Sequence, residues 1–154
     1  MADPVVSPAR RGDADAITDV FLAARAGLGF LPVLHTDDET RWWAEHVVLA
    51  EHDVVLVRDG NGVVRGFAAV RGAWLEHLYV HPEAQGRGLG TRLLTDVLDR
   101  AGDEVRLHVF LPNTGARRFY ERHGFELVGT RDGSDNEEGV PDATYRWPRP
   151  AGAR

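Results

Sequence analysis

Three alternating glycines in Gln85-Gly86-Arg87-Gly88-Leu89-Gly90 separate a strand-like run, Leu75-Glu76-His77-Leu78-Tyr79-Val80, from a helical pattern that begins at Thr91. Leu89, Leu93, Leu94, Val97, Leu98 and Ala101 recur at helical spacing, so that helix buries one side against a sheet. The next apolar run, Val105 to Leu111, is a strand, and a strand-helix-strand unit of this kind pairs its strands in parallel through a right-handed crossover. The glycines let the backbone pass close to a ligand. Their N–H groups and the positive end of the following helix can hold an anion, so the turn predicts a phosphate cradle as well as a chain path.

Around this unit the pattern is mixed. Val5-Val6 reads as a short strand, and a helix opening at Asp13 carries Ile17, Val20, Phe21, Ala24 and Leu28 on one face. Thr36 with Glu39 forms a capping box that starts a second helix, expected to run to about Val48 and to carry Trp42 and Trp43. Val54 to Arg58 and Val63 to Val70 flank Asp59-Gly60-Asn61-Gly62, a hairpin signal, and Trp74 to Val80 extends the meander. Asn113 caps a short helix ending at Gly124, and strands follow at Phe125 to Thr130 and Thr144 to Trp147. The expected architecture is mixed α/β: a mostly antiparallel twisted sheet of six to seven strands, a parallel pair splayed at the cradle, and about four flanking helices.

At 154 residues the chain supports one core, so residues 1–154 are read as a single domain. Zero cysteines exclude disulfides, thiolate metal sites and a cysteine nucleophile. No apolar run reaches the roughly 20 residues that span a bilayer, and Met1-Ala2-Asp3-Pro4 does not open like a signal peptide, which makes cytoplasm the expected compartment and a membrane partner unexpected. A formal charge of −6 argues against nucleic acid, including a role as a toxin acting on charged tRNA, and favours a cationic or amine substrate.

Two blocks together resemble the GNAT superfamily of acyl-CoA-dependent N-acetyltransferases. The first is Gln85 to Gly90, matching Gln/Arg-x-x-Gly-x-Gly/Ala between strand and helix. The second is Asn-x-x-Ala-x-x-Phe-Tyr-x-x-x-Gly-Phe, matched by Asn113, Ala116, Phe119, Tyr120, Gly124 and Phe125. A dinucleotide fold does not fit, because Thr91 stands where its fingerprint needs a third small residue. The resemblance implies that Gln85, Gly86, Arg87, Gly88, Leu89, Gly90 and Thr91 hold the CoA pyrophosphate, and that Leu78, Tyr79 and Val80 line the pantetheine arm. It further implies that the Val80 N–H donates to the thioester oxygen, that Asn113 touches the arm, and that Arg117 or Arg118 reaches the adenosine phosphate.

Transfer of an acetyl group to an amine requires a base, an oxyanion donor and an acid for the leaving thiolate. Glu76 is assigned as base, since regular alternation would place it on the same face as Val80, and Tyr120 as acid. Each has a plainer reading, Glu76 as a solvated or ion-paired strand carboxylate and Tyr120 as a core aromatic. His77 and His81, about 13 Å apart on an extended segment, cannot share an ion, and no metal is expected. His35, Trp42, Glu138 and Tyr145 are placed near the acceptor, with the acidic Asp135 to Asp142 segment read as a cation-binding lip. The expected function is acetyl-CoA-dependent acetylation of a small cationic amine in a ternary complex, by a chain able to form a homodimer. The alternatives are a non-catalytic acyl-CoA sensor and a protein or peptide N-acetyltransferase.

Overall fold

The computed structural model describes residues 2–152; Met1, Ala153 and Arg154, at the ends of the expected 1–154 domain, lie outside the described residues. Strand β1 (Val5–Pro8) leads into helix α1 (Ala14–Ala26). Helix α2 (Asp37–Trp43) runs on through a π turn, Ala44–Val48, into the short α3 (Leu49–Glu51). A meander follows, β2 (Asp53–Arg58), β3 (Val64–Arg71) and β4 (Trp74–Val80). Helix α4 (Leu89–Arg100), β5 (Glu104–Phe110), α5 (Thr114–Arg122), β6 (Glu126–Arg131) and β7 (Asp142–Pro148) complete the described chain. The seven strands form one sheet in the order β1-β2-β3-β4-β5-β7-β6, antiparallel throughout except for β4 and β5. The mixed α/β expectation, the parallel pair and the four helical rods are all present, with α2, the π turn and α3 counted as one rod.

Local chemistry explains most boundaries. The Thr36 hydroxyl accepts from Glu39 N at 3.1 Å and the Glu39 carboxylate accepts from Thr36 N at 2.8 Å, so the capping box forms as expected. The second rod continues past Val48 to Glu51 because no glycine or proline interrupts it; it stops only where His52 turns extended. In the β2–β3 turn, Asp59 Oδ1 takes the N–H groups of Asn61 (2.9 Å) and Val63 (3.1 Å). Strand β7 starts two residues earlier than the expected Thr144. Buried Asp142 is clamped by Arg131 through bonds of 2.8 and 2.6 Å and pairs with Phe110.

Strand alternation divides the core between the two sheet faces. Val54 and Leu56 of β2 with Phe67 and Ala69 of β3 pack against Ile17 and Val20 of α1 and Ala44 and Val48 of the second rod. Val55, Val57 and Ala68 face the other way, onto Leu89, Leu93, Leu94 and Val97 of α4. The α1 side and the α4 side are thus separately sealed. They meet only where the sheet itself opens.

Candidate active site

The opening lies between β4 and β5. Those strands are paired at Trp74 and Arg106, where Arg106 N donates to Ala73 O at 2.8 Å, and no further pairing follows towards their C-terminal ends. On its other edge β4 stays bound to β3. His81 N donates to Arg65 O at 2.7 Å, so by antiparallel alternation the hydrogen-bonded residues of the strand end are His81 and Tyr79, while Leu78 and Val80 turn their peptide groups towards the gap. The Gln85 side chain holds the Val80 carbonyl at 3.1 Å. The Val80 N–H is left facing the splayed side, the position expected of an oxyanion donor.

Below Val80 the glycine turn delivers the chain to α4. Gly86 and Gly88 adopt positive φ, 80° and 78°, and Gly88 is the left-handed N-cap of α4. A Cβ at either would meet no protein atom within 4 Å, so the surface beside the turn is open for a ligand to approach the backbone. Helix α4 begins at Leu89, two residues before the expected Thr91, which brings the N–H groups of Leu89, Gly90 and Thr91 into its unbonded first turn. These groups border a cleft of about 510 Å³ lined by Leu78, Tyr79, Val80, Gln85, Gly86, Gly88, Leu89, Gly90, Thr91 and Asn113, with Arg122 at its rim. Lined both by a helix N-terminus and by the free edge of a strand end, the cleft offers donors for a diphosphate and for an amide-bearing arm. A cavity of about 370 Å³ lies at the other end of the sheet, where β4 and β5 are paired, among Asp53, Gly72, Asp96 and Glu104.

Asn113 Oδ1 accepts from Ala116 N at 3.2 Å and caps α5, which leaves its amide NH₂ for the cleft. Arg117 does not line the cleft. Its Nε bonds the Tyr145 hydroxyl at 3.2 Å and a terminal nitrogen bonds Leu111 O at 3.4 Å, so Arg122 is the α5 arginine at the cleft. Arg122 was legible in the spacing Gly115, Ala116, Phe119, Arg122, one helix face. Arg87 and Arg118 are exposed.

Tyr120 is buried, its ring 5.2 Å from Phe119 and 5.4 Å from Phe125. Burial, with the neighbouring Tyr79, pushes the phenol above its ordinary range, so it remains a proton donor at neutral and alkaline pH.

Glu76 departs from the expected geometry. Ala69 pairs with His77 but Val70 pairs with Leu75, so Glu76 is the extra residue of a β-bulge. Leu75, Leu78 and Val80 pack on the α4 side, whereas Glu76 Oε2 meets His52 Nε2 at 2.6 Å beside His77, whose ring lies 5.0 Å from Trp43 on the α2 side. Glu76 and Val80 therefore do not share a face, because the bulge resets the alternation between them. His52 Nδ1 faces the Val48 carbonyl at 3.2 Å, so its ring is held between the second rod and Glu76. Burial raises the Glu76 pKa, but the His52 bond and the charges of His52, Arg71 and His77 outweigh it and bring it below the ordinary carboxylate range. Burial and the charge of His52 lower His77 to about 4. His52, Glu76 and His77 offer ligand atoms all within 4.8 Å of one another, the one such cluster among the described residues. It is assembled by His52 from a different element, which the spacing of His77 and His81 could not reveal.

The remaining acceptor-side assignments are redistributed. Tyr145 is fully buried, its hydroxyl donating to Glu121 at 2.6 Å, because alternation in β7 points it into the core. Trp42 is 58% exposed and stacks on His46, while Trp43, on the inner face of the rod with Thr40 and Ala44, packs against Phe21 and His77. His35 bonds Glu137 at 3.0 Å, and Glu138 is nearly buried, 3.9 Å from Arg25. Asp142 is held inside by Arg131, whereas Glu137 and its partner His35 are both exposed, so the connection carries an internal carboxylate and a surface ion pair. Arg25, like His52 and Arg122, is absent from the sequence reading, because it reaches its neighbours only through the packing of α1 on the sheet.

The fold and the glycine cradle agree with a family match, which gives the class as an acyl-CoA-dependent N-acetyltransferase. Residues 20–125 match the acetyltransferase (GNAT) family, and the chain belongs to that family. It is 36% identical over 108 residues to the L-amino acid N-acyltransferase MnaT of Escherichia coli, covering 62% of this chain and 61% of that one. It is 35% identical over 137 residues to the L-methionine sulfoximine/L-methionine sulfone acetyltransferase of Salmonella typhimurium, covering 78% of each. Among solved structures, yncA from Salmonella typhimurium with its cofactor acetyl-CoA superposes with a TM-score of 0.74 at 22% identity, over 99% of this chain and 98% of that one. Among the described residues no helix is long and apolar enough to cross a membrane.

Proposed function

We propose that the chain moves an acetyl group from acetyl-CoA to the primary amine of a small molecule by direct transfer in a ternary complex. The observation that carries this reading is the splay of β4 from β5. It leaves the Val80 N–H facing the gap, with Tyr120 in the α4-side core and Glu76 on the α2 side. On this reading donor and acceptor approach through opposite faces of the sheet. The amides of Leu89, Gly90 and Thr91 hold the pyrophosphate, and Leu78 and Val80 bond the arm as an added strand would. The two relatives whose names specify amino-acid acceptors support a small-molecule acceptor over a protein.

Glu76 takes the amine proton, directly or through one water, as the nitrogen attacks the thioester carbonyl carbon. The Val80 N–H stabilises the charge that gathers on the carbonyl oxygen. As the C–N bond forms and the C–S bond breaks, Tyr120 gives its proton to the departing thiolate. Glu76 returns the amine proton to solvent, and Tyr120 regains its own. No metal enters this scheme, and a cation held by His52, Glu76 and His77 would take Glu76 out of proton transfer.

Thiol release from acetyl-CoA across a panel of amines tests the proposal, with the N-acetyl product followed by mass spectrometry. One product per thiol is expected, with Glu76→Gln slower by at least about 100-fold. Tight binding of acetyl-CoA with no amine acetylated would identify a sensor instead.

A further inference from the structure

Arg25 stands on the last turn of α1 with its guanidinium carbon 4.8 Å from the Phe21 ring centre and 5.8 Å from that of Phe110. Phe21 in turn packs 5.2 Å from Tyr79 of β4, and Phe110 ends β5, so Arg25 lies over the mouth of the splayed strands on the α1 side. Its counter-ion is Glu138, from the β6–β7 connection, at 3.9 Å. That distance is an ion pair without a hydrogen bond. Arg25 Nε and Glu138 Oε2 are both buried without a partner, although the Glu138 side chain is only 8% exposed.

A buried ion pair is favourable when close geometry and further hydrogen bonds compensate the lost hydration; here the geometry is loose and a donor and an acceptor are unfilled. A guanidinium is a planar fork suited to a carboxylate, and this one is 24% exposed, so part of it can be reached. Arg25 packs on Phe21, Phe21 on Trp43 and Trp43 on His77, the neighbour of Glu76, so a cation and a carboxylate lie on the same side of the sheet, joined by one run of packed rings.

We propose that the acceptor is a free amino acid and that Arg25 is the residue that binds its carboxylate, while Glu76 receives its amine. Glu138 acts as a positioning residue that holds the guanidinium over the gap. This rests on the reading that the chain acetylates an amine, and it replaces the expected simple cation with a zwitterion. The rival is a purely internal strut, in which Arg25 and Glu138 only tie α1 to the β6–β7 connection.

Calorimetry on the CoA-bound protein distinguishes these without relying on turnover. Free amino acids are compared with their matching carboxamides, which keep the amine and the side chain and remove the negative charge. At least one acid should bind 10- to 100-fold more tightly than its amide, the range of a charge-assisted hydrogen bond. Arg25→Gln should bring that ratio close to one, and Arg25→Lys, which keeps the charge and loses the fork, should leave an intermediate ratio. Acetyl-CoA binding by each variant confirms that it is folded, and if the Gln variant does not fold the Lys variant decides alone. A wild-type ratio of one for every pair, or a full ratio surviving in either variant, would overturn the proposal. If amides and simple amines are acetylated as readily as amino acids, the inference fails while the transferase reading stands. If acids bind preferentially through Arg25 but no amine is acetylated, the reverse holds.

Discussion

At the scale of single residues, the proposed chemistry depends on two groups whose environments drive their proton affinities apart. Tyr120 is pushed up by burial and Glu76 is brought down by His52, so one keeps its proton where the other has lost it. Tyr120→Phe should lower kcat by about 100-fold with little change in KM for acetyl-CoA, which steady-state kinetics would show; an unchanged kcat would remove the acid role. His52→Gln deletes the bond and charge that hold the Glu76 pKa down. The acidic limb of kcat/KM, below which Glu76 is protonated and idle, should then move to higher pH. A limb that stays in place would mean Glu76 is not the group titrating. Neither the partner of Glu76 nor its orientation was legible from spacing alone. His52 reaches it across the sheet, and the bulge that turns Glu76 towards His52 exists only once β3 and β4 are paired.

At the scale of elements, the cradle and the second motif block could be read directly because their constraints are local. A left-handed glycine before a helix and an asparagine cap are written in adjacent residues. Gly88→Val forces a β-branched side chain into a φ of 78° at the α4 N-cap, so it should abolish acetyl-CoA binding by calorimetry while circular dichroism shows a folded protein. The acidic connection could not be read this way, because its shape depends on contact between residues apart in sequence: at Gly133, φ 96°, a Cβ would meet Gly139 and Val140 backbone at 2.8 Å. Gly133→Ala should therefore cost about 1–3 kcal/mol in denaturant unfolding and raise the KM for the acceptor, since Glu138 lies in the same connection. The burial of Tyr145 and the exposure of Trp42 could not be read in advance, because they depend on strand phase and on which face of a rod turns inward.

At the scale of the whole molecule, the sheet acts as a partition with one breach. The α4 face carries the glycine cradle and the α1 face carries Arg25, His77 and Glu76, so the parallel pair within an otherwise antiparallel sheet is what lets the two faces communicate. The partition also buries His77. Its pKa is about 4 when folded against an ordinary 6.5, so the unfolded chain binds a proton that the folded chain refuses across that window. Its stabilising contribution is complete above pH 6.5 and is lost as pH falls towards 4, at roughly 1.4 kcal/mol per unit, about 3 kcal/mol in all. Denaturant midpoints measured at pH 7 and pH 4 should fall further for wild type than for His77→Phe; equal falls would show that the ring is not desolvated.

The most direct measurement of the central claim is a crystal structure with acetyl-CoA. The pyrophosphate should lie on the amides of the Gly86 to Thr91 turn, the thioester oxygen within hydrogen-bond reach of Val80 N, and the sulfur beside the Tyr120 hydroxyl. A thioester placed away from the β4–β5 gap, or turned from Val80 with the sulfur remote from Tyr120, would contradict the account.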